Sequence, residues 1–158
     1  MRFTEPGSPA ATAGVPRGAT LSRINGVDFV NDNTQQGVNA INAALFPEDA
    51  GTVTSFEFVQ VDGSTLSVDI TSGDISVTPV QNAKVLDTEN GKTGYFQFNT
   101  FIVTAQEGLI DAFDMFVEEN VTELVIDLRY NGGGRLALAS QLSYMIAGPN
   151  QTNNATFE

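Results

Sequence analysis

The sequence predicts an α+β unit followed by the opening βαβ part of an α/β layer. Three observations predict it. The first half pairs two tight-turn signals, Asn25-Gly26 and Asp62-Gly63, with one helical stretch near residues 33–46. The second half runs strand, helix, strand, glycine turn, helix, an order that argues a right-handed crossover and a parallel strand pair. Between them, residues 72–82 with Pro79 read as an extended linker, which places the boundary at 1–78 and 79–158.

Each element follows from local chemistry. In SPAATAG, residues 8–14, Ser8 is a helix N-cap, Pro9 sits at the first helical position and Gly14 follows as a C-cap. Leu21 and Ile24 form a short strand before the Asn25-Gly26 turn. Val38, Ile41 and Leu45 recur at helical spacing, and Pro47 ends that helix. Residues 52–61 carry Val53, Phe56, Phe58, Val59 and Val61, and residues 64–70 return with Leu66, Val68 and Ile70 on one face. AKVLDT and TGYFQFNTF flank a second hairpin turn at residues 89–92. Residues 105–119 form the clearest helix, with Leu109, Phe113, Phe116 and Val117 as its stripe and Ile110 beside it. TELVIDLRY reads as a buried strand, and RLALASQLSYMIAG as a helix with Leu138, Leu142 and Met145/Ile146 inward.

Composition excludes several chemistries. The chain has 158 residues, 19 Asp+Glu against 7 Lys+Arg, and a formal charge of -12. Such a chain repels phosphate backbones, so nucleic acid is not an expected partner. The 41% apolar content and 11 Phe suffice for a packed core. With neither Cys nor His, thiolate and imidazole chemistry are out, as is Cys- or His-ligated metal. No cofactor or metal is expected. No stretch approaches the roughly 18 apolar residues of a membrane span, and MRFTEPGSPA has no apolar core of a signal peptide. The polar ends suggest a piece of a longer protein.

Asn131-Gly132-Gly133-Gly134 is the most informative local feature, because it closes a buried strand and opens a helix. Free backbone N–H groups there suit an anion or a developing oxyanion. The alternative is a turn that merely needs φ > 0. Gly132, Gly134 and Ala137 also fit the dinucleotide pattern G-x-G-x-x-A loosely. Asp127 and Arg129 share a face, and a carboxylate in an apolar run needs a partner, either Arg129 or nearby amides. A Ser-Lys pair is not evident within the chain. Lys92 sits in a solvated turn, Lys84 adjoins the linker, and Ser140 and half-buried Ser143 lie on a helix face without a base. The carboxylates of residues 105–119 lack calcium-loop spacing and read as a solvated face.

Two longer segments resemble known families. GSPAATAGVPRGATLSRINGVDF resembles the G-S-P-A-x-x-A-G-x-x-x-G-D-x-I-x-x-I-N-G run of bacterial-type PDZ domains. GYFQFNTF, the acidic helix and VTELVIDLRYNGGG resemble the opening of the catalytic core of the C-terminal processing (tail-specific) serine proteases, peptidase family S41. Its run D-L-R-x-N-x-G-G is matched by Asp127, Leu128, Arg129, Asn131, Gly133 and Gly134. The resemblance covers residues 5 to 148, and the core segment resembles Bacteroidetes-type envelope members.

The resemblance implies an α+β PDZ-like domain followed by the first βαβ part of an α/β S41 protease core. It implies a serine endopeptidase with a serine nucleophile and a lysine base, acting on protein or peptide substrates with exposed C-termini. The PDZ domain would capture the substrate's terminal segment as an added strand. The location implied is the bacterial cell envelope or periplasm, compatible with a lipid anchor on the full-length parent. Gly133, with Gly134 beside it, would supply an oxyanion-hole amide. On that reading the Gly133 N–H is expected to be unpaired and to face open space. Three departures stand out. The nucleophile and base fall C-terminal to the glycine turn, beyond this chain. The carboxylate-binding loop that precedes G-S-P-A is missing. Ala19 stands where the PDZ segment has Asp. No peptidase activity is expected from residues 1–158 alone. Two alternatives stay open: a peptide-binding module with a degenerate protease-like part, and a nucleotide-binding α/β domain using Gly132–Gly134.

Overall fold

Two units, Met1–Ser76 and Val77–Glu158, divide the chain. The structure is a computed structural model and describes residues 1–153. In the first unit, Ser8 caps α1 (Pro9–Thr12) by accepting the Ala11 N–H at 3.1 Å. Strand β1 (Thr20–Ile24) turns into β2 (Val27–Asp28) through Asn25 and Gly26, at φ 48° and 80°. Both central residues of a tight hairpin turn of the primed type need positive φ, which Asn and Gly tolerate.

Thr34 caps α2 (Gln35–Leu45) through its hydroxyl, which accepts the Gly37 N–H at 3.0 Å. Strands β3 (Val53–Val59) and β4 (Thr65–Thr71) form the hairpin expected around Asp62-Gly63. The sheet is antiparallel in the order β2-β1-β3-β4. Its core gathers Val15, Ala19 and Phe58, with Leu21, Phe56, Leu66, Val68 and Ile70 packed around them. Ala19 is fully buried there. A carboxylate at that position would lose its water with no partner among these apolar neighbours.

The apolar positions expected to face inward do not all do so. Val38 is exposed on α2, where Gly37 and Ile41 take the inner face. In β3 the buried positions are Thr54 and Phe58, while Val53 and Val59 face out, and Val61 beyond the strand is exposed too. The period of two is right, but the sequence run contains β-branched residues on both faces, so hydrophobicity alone does not choose the inner one.

The second unit has three strands, β5 (Val80–Thr88), β6 (Gly91–Phe98) and β7 (Glu123–Asp127), in the order β5-β6-β7. β5 and β6 are antiparallel, and β6 and β7 pair in parallel, as the strand–helix–strand order predicts. β5 begins inside the stretch read as linker. A register shift between Gln81 and Lys84, with Asn82 at φ 58°, lets the strand start early around a bulge.

Helices α3 (Ala105–Glu118) and α4 (Leu136–Ala147) supply the core with Ala105, Leu109, Ala112, Phe116, Leu138 and Leu142, packed on Phe96 and Phe98 of β6. The inner stripe of α3 therefore runs through two alanines. Val117 is 75% exposed and Ile110 also faces out. Large side chains mark a helix as amphipathic, but the small ones allow close approach to the sheet. Phe116 lies so near β6 that a Cβ on Gly94 would sit 3.0 Å from its ring. On α4 Met145 packs against the core, whereas Ile146 and Ser143 are exposed. The short helix α5 (Pro149–Thr152) follows.

Candidate functional site

The C-terminal ends of the parallel pair carry the site. β7 ends at Asp127, a buried carboxylate. The Arg129 guanidinium folds back on it, with Nε 2.9 and 3.0 Å from its two oxygens and an Nη 2.5 Å from Oδ2. The Arg129 N–H adds a bond of 3.1 Å, and the Tyr95 hydroxyl of β6 donates at 3.1 Å. The Arg129 side chain, with its backbone N–H next, holds the Asp127 carboxyl well below the usual carboxylate range. The pairing raises Arg129 further. Tyr95 is pushed up by burial and then by donating to this carboxylate. Both Asp127 oxygens are engaged, by Arg129 and by Tyr95 of β6, so the carboxylate braces the start of the turn.

Residues 128–135 then climb over the end of β6. Asn131 donates from Nδ2 to the Phe98 carbonyl at 3.0 Å. The Gly132 N–H reaches the Asn99 carbonyl at 3.4 Å. Gly134 forms an isolated parallel bridge with Phe101, in which the Phe101 N–H donates to the Gly133 carbonyl at 2.9 Å and the Arg135 N–H donates to the Phe101 carbonyl at 2.8 Å. The Thr100 hydroxyl adds a bond to the Gly133 carbonyl at 3.3 Å. Gly133 and Gly134 have φ of 94° and 140°, where side chains are strained.

The two glycines singled out from the sequence behave differently. The Gly133 N–H is not free: it donates to Asn131 Oδ1 at 2.7 Å. This overturns the expectation that it faces open space. The cause is local. An Asn side chain readily accepts from the N–H two residues on, closing a turn upon itself. Among the described residues the Gly134 N–H has no acceptor, because the parallel bridge uses the groups on either side of it. Gly134 is exposed, so this N–H is the turn's available donor.

Sequence reasoning missed Asn131 as an active participant, although Asn two before Gly is a known turn signal. It also missed Phe101 and Asn99. Asn99 is buried, its Oδ1 accepts from Gln97 Nε2 at 2.8 Å, and its Nδ2 has no partner among the described residues. The serines and lysines of this unit do not assemble into a dyad. Ser143 donates back to the Ala139 carbonyl at 2.9 Å, Lys92 pairs with Glu119 at 2.5 Å, and Lys84 lies 5.2 Å from the Tyr95 ring centroid.

A glycine turn with one spare amide at the end of a parallel pair is chemically suited to receive an oxygen anion. Residues 92–156 match the model of peptidase family S41. It is 29% identical over 140 residues to a carboxyl-terminal-processing protease of Picosynechococcus, covering 87% of this chain and 32% of that protein. It is 26% identical over 137 residues to the carboxy-terminal processing protease CtpA of Bacillus subtilis, covering 87% and 28%. The chain thus spans about a third of the length of these curated relatives. A crystal structure from Bacteroides fragilis assigned to the S41 proteases superposes with a TM-score of 0.67 at 28% identity, over 97% of this chain and 41% of that one. The photosystem II D1 C-terminal processing protease shares the fold, with a TM-score of 0.61 at 19% identity over 90% and 38%.

Proposed function

We propose that this chain is part of a serine endopeptidase of the C-terminal-processing class, and that its glycine turn supplies one amide of the oxyanion hole. The free Gly134 N–H at the end of the parallel pair carries this reading. One such donor, held rigid before substrate arrives, contributes roughly 3 kcal/mol to the transition state. A Ser-Lys dyad contributed from sequence beyond residue 158 completes the chemistry. This fits a chain without His, since neither group is an imidazole, and fits the pairing of Lys92 with Glu119 and of Ser143 with its own helix.

The first unit acts in this reading as a PDZ-like capture module for the substrate's C-terminal segment. Supporting this, β4 is an edge strand, and Ala44, Phe46, Phe56 and Ile70 line an open groove of about 490 Å³. Such a surface suits an apolar peptide laid along a strand. The substrates are proteins with exposed C-termini, and the location is the bacterial envelope or periplasm. The nucleotide reading has no support in the turn, since Asn131 consumes one of the amides that a phosphate would need.

The test is expression of the full-length parent beside residues 1–158, each incubated with an unfolded protein bearing an apolar C-terminus. Cleavage by the parent, abolished when the serine beyond this chain is replaced by Ala, is the expected result, with no cleavage by residues 1–158. A parent that binds the peptide but never cuts it would favour the peptide-binding module instead.

A further inference from the structure

We infer that Asn131 is the positioning residue of the glycine turn, and that its side-chain amide decides which glycine N–H is presented to a ligand. The inference rests on the oxyanion reading above and goes beyond it by assigning the selection of the donor to Asn131.

The argument begins with the two ends of one amide. Oδ1 accepts the Gly133 N–H at 2.7 Å, and Nδ2 donates to the Phe98 carbonyl at 3.0 Å. A single planar group therefore ties the crest of the turn to the last residue of β6. Near neutral pH an amide offers an acceptor and a donor across that span. A carboxylate lacks the donor, and an aliphatic side chain lacks both.

The Gly133 N–H is thereby spent. The other bonds of Gly133 are on its carbonyl, which accepts from the Phe101 N–H and the Thr100 hydroxyl, and no atom lies within 4 Å of where its Cβ would stand. Gly134 is fixed by different means. The bonds from the Phe101 N–H to the Gly133 carbonyl and from the Arg135 N–H to the Phe101 carbonyl hold the peptide groups on either side of it. In a parallel bridge the bridging residue's own N–H faces away from its partner. Gly134 thus presents its N–H outward in a fixed direction, to an oxygen anion or a polarised carbonyl oxygen. Without the Asn131 clamp, the Gly133 N–H would be released, and two amides would compete for one charge from different directions. Preorganisation, the source of the stabilisation, would be lost.

Two measurements test this. In the 158-residue chain, amide temperature coefficients and exchange read the two glycines directly by nuclear magnetic resonance. Gly133 is expected to behave as hydrogen-bonded and Gly134 as free, and Asn131→Ala is expected to release Gly133 while leaving the Phe96 and Phe116 resonances in place. In the full-length parent, Asn131→Ala is expected to lower kcat at least tenfold with KM within twofold of the parent value. Asn131→Asp is expected to lose activity at neutral pH. It should recover relative to the parent as the pH falls through the carboxyl's titration, because the protonated acid again offers both a donor and an acceptor. A merely structural residue would not produce that pH-dependent ratio. A Gly133 N–H that exchanges as fast as that of Gly134 would overturn the clamp, as would Asn131→Ala turning over at the parental kcat. If the parent proves inactive on every substrate, the protease reading fails, and the resonance measurement alone decides the clamp.

Discussion

Three consecutive glycines that look equivalent in the sequence are predicted to differ sharply when each is replaced by alanine. Gly132 has no positive φ, and a Cβ there meets nothing within 4 Å. Gly132→Ala is expected to lie within about 0.5 kcal/mol of neutral, with the reduced entropy of the unfolded chain acting in its favour. Gly133 also has open space, but its φ is 94°. The left-handed backbone costs an L-residue roughly 1–2 kcal/mol, and nothing is added by contact. Gly134 combines both penalties. Its φ is 140°, and a Cβ would stand 2.3 Å from the Phe101 carbonyl oxygen and 2.8 Å from its carbon. Backbone cannot rotate aside as a side chain can. Relief requires opening the bridge and its two flanking backbone bonds, each worth roughly 0.5–1.5 kcal/mol. With the φ cost, Gly134→Ala should lose about 2–5 kcal/mol. All three tyrosines, Tyr95, Tyr130 and Tyr144, lie in the second unit and the chain has no Trp, so tyrosine emission during urea or thermal unfolding reports this unit alone. For a unit of this size each kcal/mol shifts Tm by roughly 4–8 °C. The expected order is Gly132→Ala unchanged, Gly133→Ala lower, and Gly134→Ala lowest, roughly 8 °C or more below the parent sequence. Equal losses at Gly132 and Gly134, or a neutral Gly134→Ala, would refute the reasoning. The same geometry rules out Gly133→Pro as a clean probe of the amide, since proline holds φ near −65° and would break the turn by itself.

Phe96 is fully buried among Phe98, Phe113 and Phe116, so Phe96→Ala is expected to cost about 3–5 kcal/mol, read from the urea midpoint by tyrosine emission. Asp127 governs acid stability. Its folded pKa is depressed, so its contribution is whole above the ordinary aspartate value of about 3.9 and drains away as the pH falls from there through the lower folded pKa. Thermal unfolding between neutral pH and pH 2 should show a shallower acid loss for Asp127→Asn than for the parent sequence, and parallel slopes would contradict the assignment.

Much was legible in the linear sequence, because it depends on neighbours a few residues apart. Ser8, Pro9 and Gly14 mark α1, Asn25-Gly26 and Asp62-Gly63 mark their hairpins, and the strand–helix–strand order around residues 105–119 marks the parallel pair. The run from Asp127 to Gly134 marks the candidate site, and Asp127 pairs with Arg129 as one of the two partners expected for it. Tertiary structure decided the rest. Which face of α3 turns inward depended on close approach, so Ala105 and Ala112 were chosen over Val117 and Ile110. Which glycine keeps a free N–H depended on partners brought from β6 and the residues after it: Phe98 fixes the Asn131 amide, and Phe101 fixes Gly134. Those residues are about thirty positions away along the chain, at the same end of the sheet. An amide's availability is set by what lies opposite it in space, and only the folded chain puts anything there.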